Sequence, residues 1–300
     1  MGKFLQRLGD FLLAKALVSE CRQAGLVVAS AQLPIGHVEY LHSKDANTHL
    51  SEAIVMLHGA TSDRTSWPRF AKHLDSKLPL VIPDLPGHGK SIANTHLDYS
   101  IQGQSEHLKT LLATLGIHRV HLIGNSMGGA IAIHFAAANP NLVASLVLMD
   151  AAGIESSPSW LQQHITKTGC NPIIEVNNTT EYRKMLRIIM QSQPYIPSFI
   201  LASLTRAYLK RKPINQKIIA AIAQDLDQTT HLKNITVPSL IIWGAEDRIL
   251  HVDDATFLHQ QLPNSRKIIL ENIGHTPMVE APKQVATICK TFYAEMLSLS

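Results

Sequence analysis

The chain is short of charge, of cysteine and of long apolar runs, and each shortage excludes something. Charged residues make up 17% of 300 residues and the net charge is only +4. That balance is too mild for a nucleic-acid footprint, and no nucleic-acid-reading motif occurs, so no nucleic-acid partner is expected. The three cysteines, Cys21, Cys170 and Cys289, are scattered and odd in number. They do not make a disulfide framework and fit a reducing compartment. The 16 histidines invite a metal, yet no His-Glu-x-x-His or Cys-x-x-Cys spacing supports one. His118 and His121 stand three apart with no further ligand nearby in sequence, so neither metal nor cofactor is expected. No stretch approaches the ~20 apolar residues that span a bilayer. Near the N-terminus the longest apolar run, Phe11 to Ala14, is broken by Lys15, which argues against a secretory signal. Neither an internal repeat nor a low-complexity linker is found. With mean hydropathy of +0.05, the chain reads as globular, and its length accommodates one large α/β domain with or without an insert.

What is present centres on Leu122-Ile123-Gly124-Asn125-Ser126-Met127-Gly128-Gly129. Val120 to Ile123 reads as a buried strand. Met127 to Ala138 reads as a helix stopped by Asn139-Pro140. Ser126 sits at the hinge in the frame Gly-x-Ser-x-Gly. Such a tight strand-to-helix turn strains the serine backbone and leaves room only for glycine two positions either side. The turn lifts the hydroxyl to where a base reaches it, and the Met127 N–H at the helix N-terminus points toward a developing oxyanion. Gly129 adds room for close packing. A Gly-rich turn with an ordinary capping serine would look similar, but the flanking strand and helix are the context that the nucleophile motif requires.

The remaining pattern alternates strands and helices. Residues 1–28 place Phe4, Leu8 and Leu12 at helical spacing, with Phe11, Leu13 and Leu17 widening the stripe and Lys3, Arg7, Lys15 and Arg22 outnumbering Asp10 and Glu20. This amphipathic helix either packs on its own domain or a second copy, or lies on a membrane with Phe4, Leu8 and Leu12 inserted. Ile35 to His42 reads as a strand, and polar Ser43 to Ser51 as a turn. Ala53 to Leu57 is a buried strand leading into His58-Gly59-Ala60, where the Ala60 N–H is assigned as second oxyanion donor and His58 as a structural side chain. Trp67 and Phe70 fall on a short helix as core. After Leu80 to Ile82, the turn-rich loop Asp84 to Ser91 has Asp84 and His88 holding its geometry. A helix over Gln102 to Leu115 and a strand over Leu142 to Met149 follow. From 153 to 232 helices appear without strands: Ser159–Thr168, Thr180–Ser192, Pro197–Lys210 and Ile214–Asp225. This insert reads as a cap over the carboxyl edge of the sheet, whose surplus of apolar residues suits an acyl chain. Arg206, Lys210, Arg211 and Lys212 read as a solvated helix face. Strands over Pro238–Trp243 and Arg266–Leu270 and helices over Val252–Leu262 and Pro282–Leu297 complete the pattern. The expected division is therefore 1–28 helix, 29–152 and 233–300 α/β core, and 153–232 helical cap.

Ser126, Asp247 and His275 occur in the order nucleophile, acid, base, each just after an expected strand. Parallel strands deliver their carboxyl ends to one edge, so these distant loops can converge there. His275 would take the Ser126 proton, Asp247 would fix the imidazole, and Ala60 and Met127 N–H groups would hold the oxyanion. Asp150, which ends another strand at that edge, is the rival acid. Glu246, Asp253 and Asp254 read as solvated or capping carboxylates.

Val120 to Gly129, His58-Gly59, Asp84 to Ser91, Gly244 to Asp247 and Gly274-His275 together resemble the α/β-hydrolase superfamily over nearly the whole chain. Tyr182 to Leu186, Ile196-Pro197 to Leu201 and Ile241 to Gly244 extend the resemblance to monoacylglycerol-lipase-type α/β-hydrolase-domain enzymes and related bacterial lipases. The resemblance implies a mostly parallel central sheet flanked by helices, and hydrolysis of acylglycerols or other carboxylic esters through an acyl-enzyme. The expected setting is the cytoplasm, with peripheral membrane contact through the N-terminal helix as the alternative to its packing on the body. Carbon–carbon bond hydrolases of ring-cleavage products are similar around Gly124 to Gly129. They carry a tryptophan where Thr276 stands and a Gly-Pro-Gly loop where Ala60-Thr61-Ser62 stands; Arg206 is the one residue that could mimic their cap arginine. A ligand-binding protein that keeps the fold is the non-enzymatic alternative.

Overall fold

A computed structural model describes residues 3–44 and 51–298. The chain opens with helix α1 (Lys3–Gln23) and a hairpin of β1 (Leu26–Leu33) and β2 (Gly36–Ser43). Strands and helices then alternate through β3 (Glu52–Leu57), α2 (Pro68–Leu74), β4 (Leu80–Pro83), α3 (Ile101–Leu115), β5 (Arg119–Ser126), α4 (Met127–Ala138) and β6 (Val143–Ala151). Three helices follow without a strand: α5 (Trp160–Thr168), α6 (Thr179–Ile189) and α7 (Ser198–Ile222). The chain closes with β7 (Ser239–Gly244), α8 (Asp253–Gln261), β8 (Ser265–Leu270), α9 (Pro277–Glu280) and α10 (Pro282–Ser298). The eight strands form one sheet in the order β1-β2-β4-β3-β5-β6-β7-β8. Only β1–β2 and β2–β4 pair antiparallel; every pair from β4 to β8 is parallel.

Both faces of the sheet are covered, which is why its strands are apolar on alternate and intervening positions alike. Along β3, Ala53 to Leu57 are all buried. On one face Ile131 and Phe135 of α4 pack with Leu108 and Leu112 of α3. On the other, Phe70 and Leu74 of α2 pack with Val285 and Phe292 of α10. Each fully buried aliphatic or Phe side chain of this kind contributes about 1.5–3 kcal/mol. The helices after β3 and β5 thus leave to opposite faces. Because β3 lies between β4 and β5, the strand order reverses there, the position at which sheets of this kind bind ligands at their carboxyl edge. Leu57 is in register with Gly124, so His58-Gly59-Ala60 and Ser126 leave that edge side by side.

The structure corrects several local expectations. The first helix ends at Gln23, not at 28, because Gly25 turns the chain with φ of 66° and Leu26 starts β1. The hairpin strand β1 was not foreseen. The two helices expected over 197–225 are one, α7, which runs through Pro213. Proline removes one N–H from the ladder, yet Tyr208 before it and Asn215, Ile218 and Ile222 after it are buried, and that packing carries the helix through. Asp254, expected at the surface, is 1% exposed and accepts from Ser156 N at 2.8 Å. Most of the expected 43–51 turn lies outside the described residues.

The first helix packs on its own domain through a face of small or modest side chains. Gly9 is buried against α7, where a Cβ would lie 2.7 Å from Ser203 Oγ and 2.8 Å from Phe199 O. Leu13, Leu17 and Cys21 continue that face, half-buried. Leu8, Phe11, Leu12 and Val18 face solvent instead; the Phe4 side chain lies outside the described residues.

The start of α4 lies directly against the backbone of β3. A Cβ on Gly128 would lie 2.2 Å from Leu57 O and 2.9 Å from His58 O. Those atoms are backbone and cannot rotate away, so Gly128→Ala is expected to cost at least ~1–3 kcal/mol of stability, read by denaturant unfolding.

Candidate active site

Ser126 ends β5 and precedes α4 with φ of 54° and ψ of −120°. A non-glycine residue in such a region stores about 1–3 kcal/mol of strain. The surroundings enforce it. A Cβ on Gly124 would lie 2.3 Å from Gly128 O, one on Gly129 would lie 2.4 Å from Ala151 Cβ, and one on Gly59 would lie 3.1 Å from Ser126 Cβ. Ser126 O is held by Ala152 N at 3.0 Å. The side chain remains half-exposed, and among the described residues its hydroxyl has no hydrogen bond.

His275 follows β8 and is 6% exposed. Its Nδ1 lies 2.8 Å from Asp247 Oδ2. The carboxyl of Asp247 is fully enclosed, and its Oδ1 accepts from Ile249 N at 2.7 Å and Leu250 N at 3.1 Å. With Asp247 accepting, Nδ1 carries the proton, and Nε2 is left as the basic lone pair. Two contacts fix the His275 backbone. Its N–H donates to Ile189 O at 2.8 Å, and its carbonyl accepts from Asn125 Nδ2 at 3.0 Å. Asn125, adjacent to Ser126 and 2% exposed, also donates to Met149 O at 3.1 Å. It ties the serine strand to the histidine loop. Sequence reasoning missed this role, although the position inside Gly-Asn-Ser was visible.

Glu280 was missed as well. Its carboxylate accepts from Gly274 N at 3.0 Å, Thr276 N at 3.2 Å, Gln191 N at 2.8 Å and Ser192 N at 2.8 Å. It therefore joins the loop bearing His275 to the segment after α6. No sequence spacing announces those four donors, because they come from two segments far apart in the chain.

The Ala60 and Met127 N–H groups donate to no protein group among the described residues. The Ala60 amide is oriented by His58. Leu85 N donates to His58 Nε2 at 3.0 Å, so Nε2 is unprotonated and Nδ1–H donates to Gly59 O at 2.9 Å. That carbonyl belongs to the same trans peptide as the Ala60 N–H, so pinning one aims the other the opposite way. His88 packs edge-on to His58 with ring centroids 4.8 Å apart. Asp84 holds the same loop, accepting from Arg64 N at 2.9 Å and Lys90 N at 2.7 Å and pairing with the Arg64 guanidinium. Arg211 of α7 donates to the carbonyls of Gly87 and Gly89. Arg206 pairs with Asp10 of α1, and Lys212 donates to Asn177 Oδ1 at 2.6 Å. Arg206, Arg211 and Lys212 are thus engaged with neighbouring segments, contrary to the expected solvated face, whereas Lys210 is exposed as expected, and the Arg206 guanidinium is turned to Asp10 of α1.

Asp150 is completely buried and accepts from Gly244 N at 2.9 Å. It does not bond His275; Asp247 does. One donor atom each from Asp150, Asp247 and His275 lies within 4.8 Å of the others. Among the described residues this is the one such cluster, but two of its members already bond each other.

Burial is the main force holding the His58 and His88 rings below the ordinary imidazole value of 6.5, with the Arg211 charge adding to it. Both are neutral in the fold and protonate more readily when unfolded. Their contribution to stability is present above about pH 6.5 and is lost as pH falls toward the lowered folded values. Denaturant unfolding at pH 7.5 and at pH 5.5, roughly a unit either side of that value, is expected to show lower stability in acid, with a smaller drop in His88→Gln.

With this geometry in place, the chain can be set beside known proteins. The family described as alpha/beta hydrolase fold matches residues 52–282. Lipase 1 of Psychrobacter immobilis is 30% identical over 283 residues, covering 93% of this chain and 87% of that protein. Monoacylglycerol lipase ABHD6 of Bos taurus is 30% identical over 257 residues, covering 82% and 76%. Among solved structures, a membrane phospholipase A described as a bacterial virulence factor superposes with a TM-score of 0.91 at 31% identity, covering 96% of this chain and 92% of that one.

Proposed function

The chain belongs to the alpha/beta hydrolase fold family, and on that premise we propose that Ser126, His275 and Asp247 make it a serine-type carboxylic ester hydrolase of the lipase and esterase kind. The observation that carries this reading is the His275–Asp247 bond of 2.8 Å, which leaves Nε2 basic at the edge where the strained Ser126 presents its hydroxyl. Lipases and monoacylglycerol lipases among the relatives support the ester as substrate class.

Ser126 Oγ attacks the ester carbonyl carbon while His275 Nε2 takes its proton. The carbonyl oxygen becomes an oxyanion held by the Ala60 and Met127 N–H groups; one such donor is worth about 2.7–4 kcal/mol of barrier. The carbon–oxygen bond to the alcohol breaks as His275 returns the proton to the leaving oxygen. Water, deprotonated by His275, then attacks the acyl-enzyme, and collapse releases the acid and restores Ser126. Asp247 stabilises the imidazolium that forms twice in the cycle.

The helical insert α5–α7 is read as the cap over this site, and mono- or short- to medium-chain acylglycerols as the preferred substrates. Part of its apolar content is spent on a core of its own: Val176, Met185, Leu186, Met190, Leu201 and Tyr208 pack together, with Val279 of α9 against them. Ile188, Phe199, Ile200 and Leu204 lie outside that cluster and remain half-buried, available for an acyl chain. An ester series from acetyl to long-chain monoacylglycerol is expected to favour medium or longer chains, and Ser126→Ala to lower kcat at least ~10³-fold. Strict preference for acetyl esters would overturn the acyl-site reading; full turnover by Ser126→Ala would overturn the chemistry.

Peripheral membrane contact is read from α1. Leu8, Phe11, Leu12 and Val18 are exposed, and on a helical wheel they share one stripe with Lys15 and Arg22. Lys15 Nζ sits 4.8 Å from the Phe11 ring centroid. Both acids of the helix are neutralised by the body, Asp10 by Arg206 and Glu20 by Arg69 at 2.6 Å, so the exposed face is apolar and cationic. That pairing suits an anionic bilayer surface. Among the described residues no helix is long and apolar enough to cross a membrane. The free thiols of Cys21, Cys170 and Cys289 fit a cytoplasmic setting. Phe11→Ser combined with Val18→Ser is expected to weaken co-sedimentation with phosphatidylserine vesicles by at least about tenfold, the lower bound for partial insertion of two apolar side chains, without changing turnover of a soluble ester.

A further inference from the structure

Asp150 breaks the pattern of its strand. It has φ of 44°, and the ladder to β5 slips at this point: Asn125 pairs with Met149, but Ser126 pairs with Ala151. Asp150 is therefore the extra residue of a bulge, turned beneath the site. Bulges at such places re-aim a side chain. The one here sends a carboxyl into a region with no solvent, since Asp150 is 0% exposed. Its Oδ1 accepts from Gly244 N at 2.9 Å. Its buried Oδ2 has no conventional donor to bond. The acceptor beside it is the carboxyl of Asp247, and His275 lies in the same cluster, within 4.8 Å.

Two enclosed carboxylates at this separation repel each other, so one of them carries a proton. Their partners decide which. Asp247 receives three N–H donors, from His275, Ile249 and Leu250; Asp150 receives one, from Gly244. The anion resides where the donors are, on Asp247. Burial first, then the charge of Asp247, push the Asp150 carboxyl well above the usual carboxylate range, and the more distant Glu280 acts in the same direction. The titratable groups facing Asp150 are thus Asp247 and Glu280, with the His275 ring in the same cluster.

Resting on the ester-hydrolase reading, we propose that Asp150 is a positioning residue: a neutral acid whose Oδ2–H donates to Asp247, fixing the carboxylate that orients His275 and keeping the pair at one negative charge. No bond forms or breaks in Asp150 during turnover, and its proton stays in place. The arrangement explains why an orphaned buried oxygen is tolerated, because that oxygen is a donor and Asp247 is its acceptor.

Asparagine reproduces both contacts of a neutral aspartic acid. Its Oδ1 can accept from Gly244 N and its Nδ2–H can donate to Asp247, and it tolerates positive φ well. Alanine removes the donor. Asp150→Ala is therefore expected to lower kcat about tenfold with KM unchanged, and Asp150→Asn to restore kcat to within about threefold of wild type. Infrared difference spectra of the wild-type protein against Asp150→Asn at neutral pH are expected to show the carbonyl stretch of a protonated carboxyl, lost in the variant. Absence of that band, or a loss of kcat in Asp150→Asn as deep as that in Asp247→Asn, would overturn the proposal, since Asp150 would then be ionised or would itself be the working acid. Unchanged kcat in a folded Asp150→Ala would also overturn it. The infrared reading needs no substrate, so it stands apart from any failure of the wild-type protein to hydrolyse esters.

Discussion

Backbone crowding where the start of α4 presses on β3 and on the end of β5 is the constraint on which the rest of the site depends. Gly128 presses on the Leu57 carbonyl and Gly124 on the Gly128 carbonyl, at separations that no Cβ could share. The strand-to-helix turn is squeezed until Ser126 has φ of 54°, and the strain is held by packing on every side rather than by the turn itself. The same closeness brings the His58-Gly59-Ala60 segment alongside Ser126, where a Cβ on Gly59 would lie 3.1 Å from Ser126 Cβ.

A second layer of hydrogen bonds locates the imidazole. Asn125 holds the His275 carbonyl and Ile189 holds its N–H, while Glu280 gathers amides from the histidine loop and from the segment after α6. One end of the helical insert is thereby fastened to the loop that carries the base. Arg211 fastens α7 to the Gly87 and Gly89 carbonyls next to the His58–His88 pair. The insert and the chemical edge are mechanically continuous at these two points.

Much of this was legible beforehand, for identifiable reasons. Local pattern located α3 and α4 to within a residue and the middle of β5, whose end runs three residues further, to Ser126. The frame around Ser126 was readable because glycines at fixed offsets answer a local steric demand. Asp247 and His275 were readable from their places after strands. Failures occurred where distant packing overrides local preference. Pro213 argues for a break, yet buried side chains on both sides carry α7 through it. Leu8 and Leu12 look like a core stripe, yet α1 docks through Gly9 because only a glycine admits the Phe199 carbonyl so closely. Arg206 and Arg211 look like a solvated face until Asp10 and the Gly87 loop are seen opposite them.

The residues alone determined the alternation of strands and helices and the place in the chain where helices follow one another without strands, since these depend on local spacing; the mostly parallel sheet followed from the resemblance to the α/β-hydrolase superfamily. Tertiary structure set Asp247, and not Asp150, against His275 Nδ1, although both follow strands that deliver to the same edge. It also decided which amides Glu280 gathers and which peptide His58 aims. Both roles need partners far along the chain, Gln191 and Ser192 for Glu280 and Leu85 for His58, and a hydrogen bond across that distance leaves no periodic trace in the sequence.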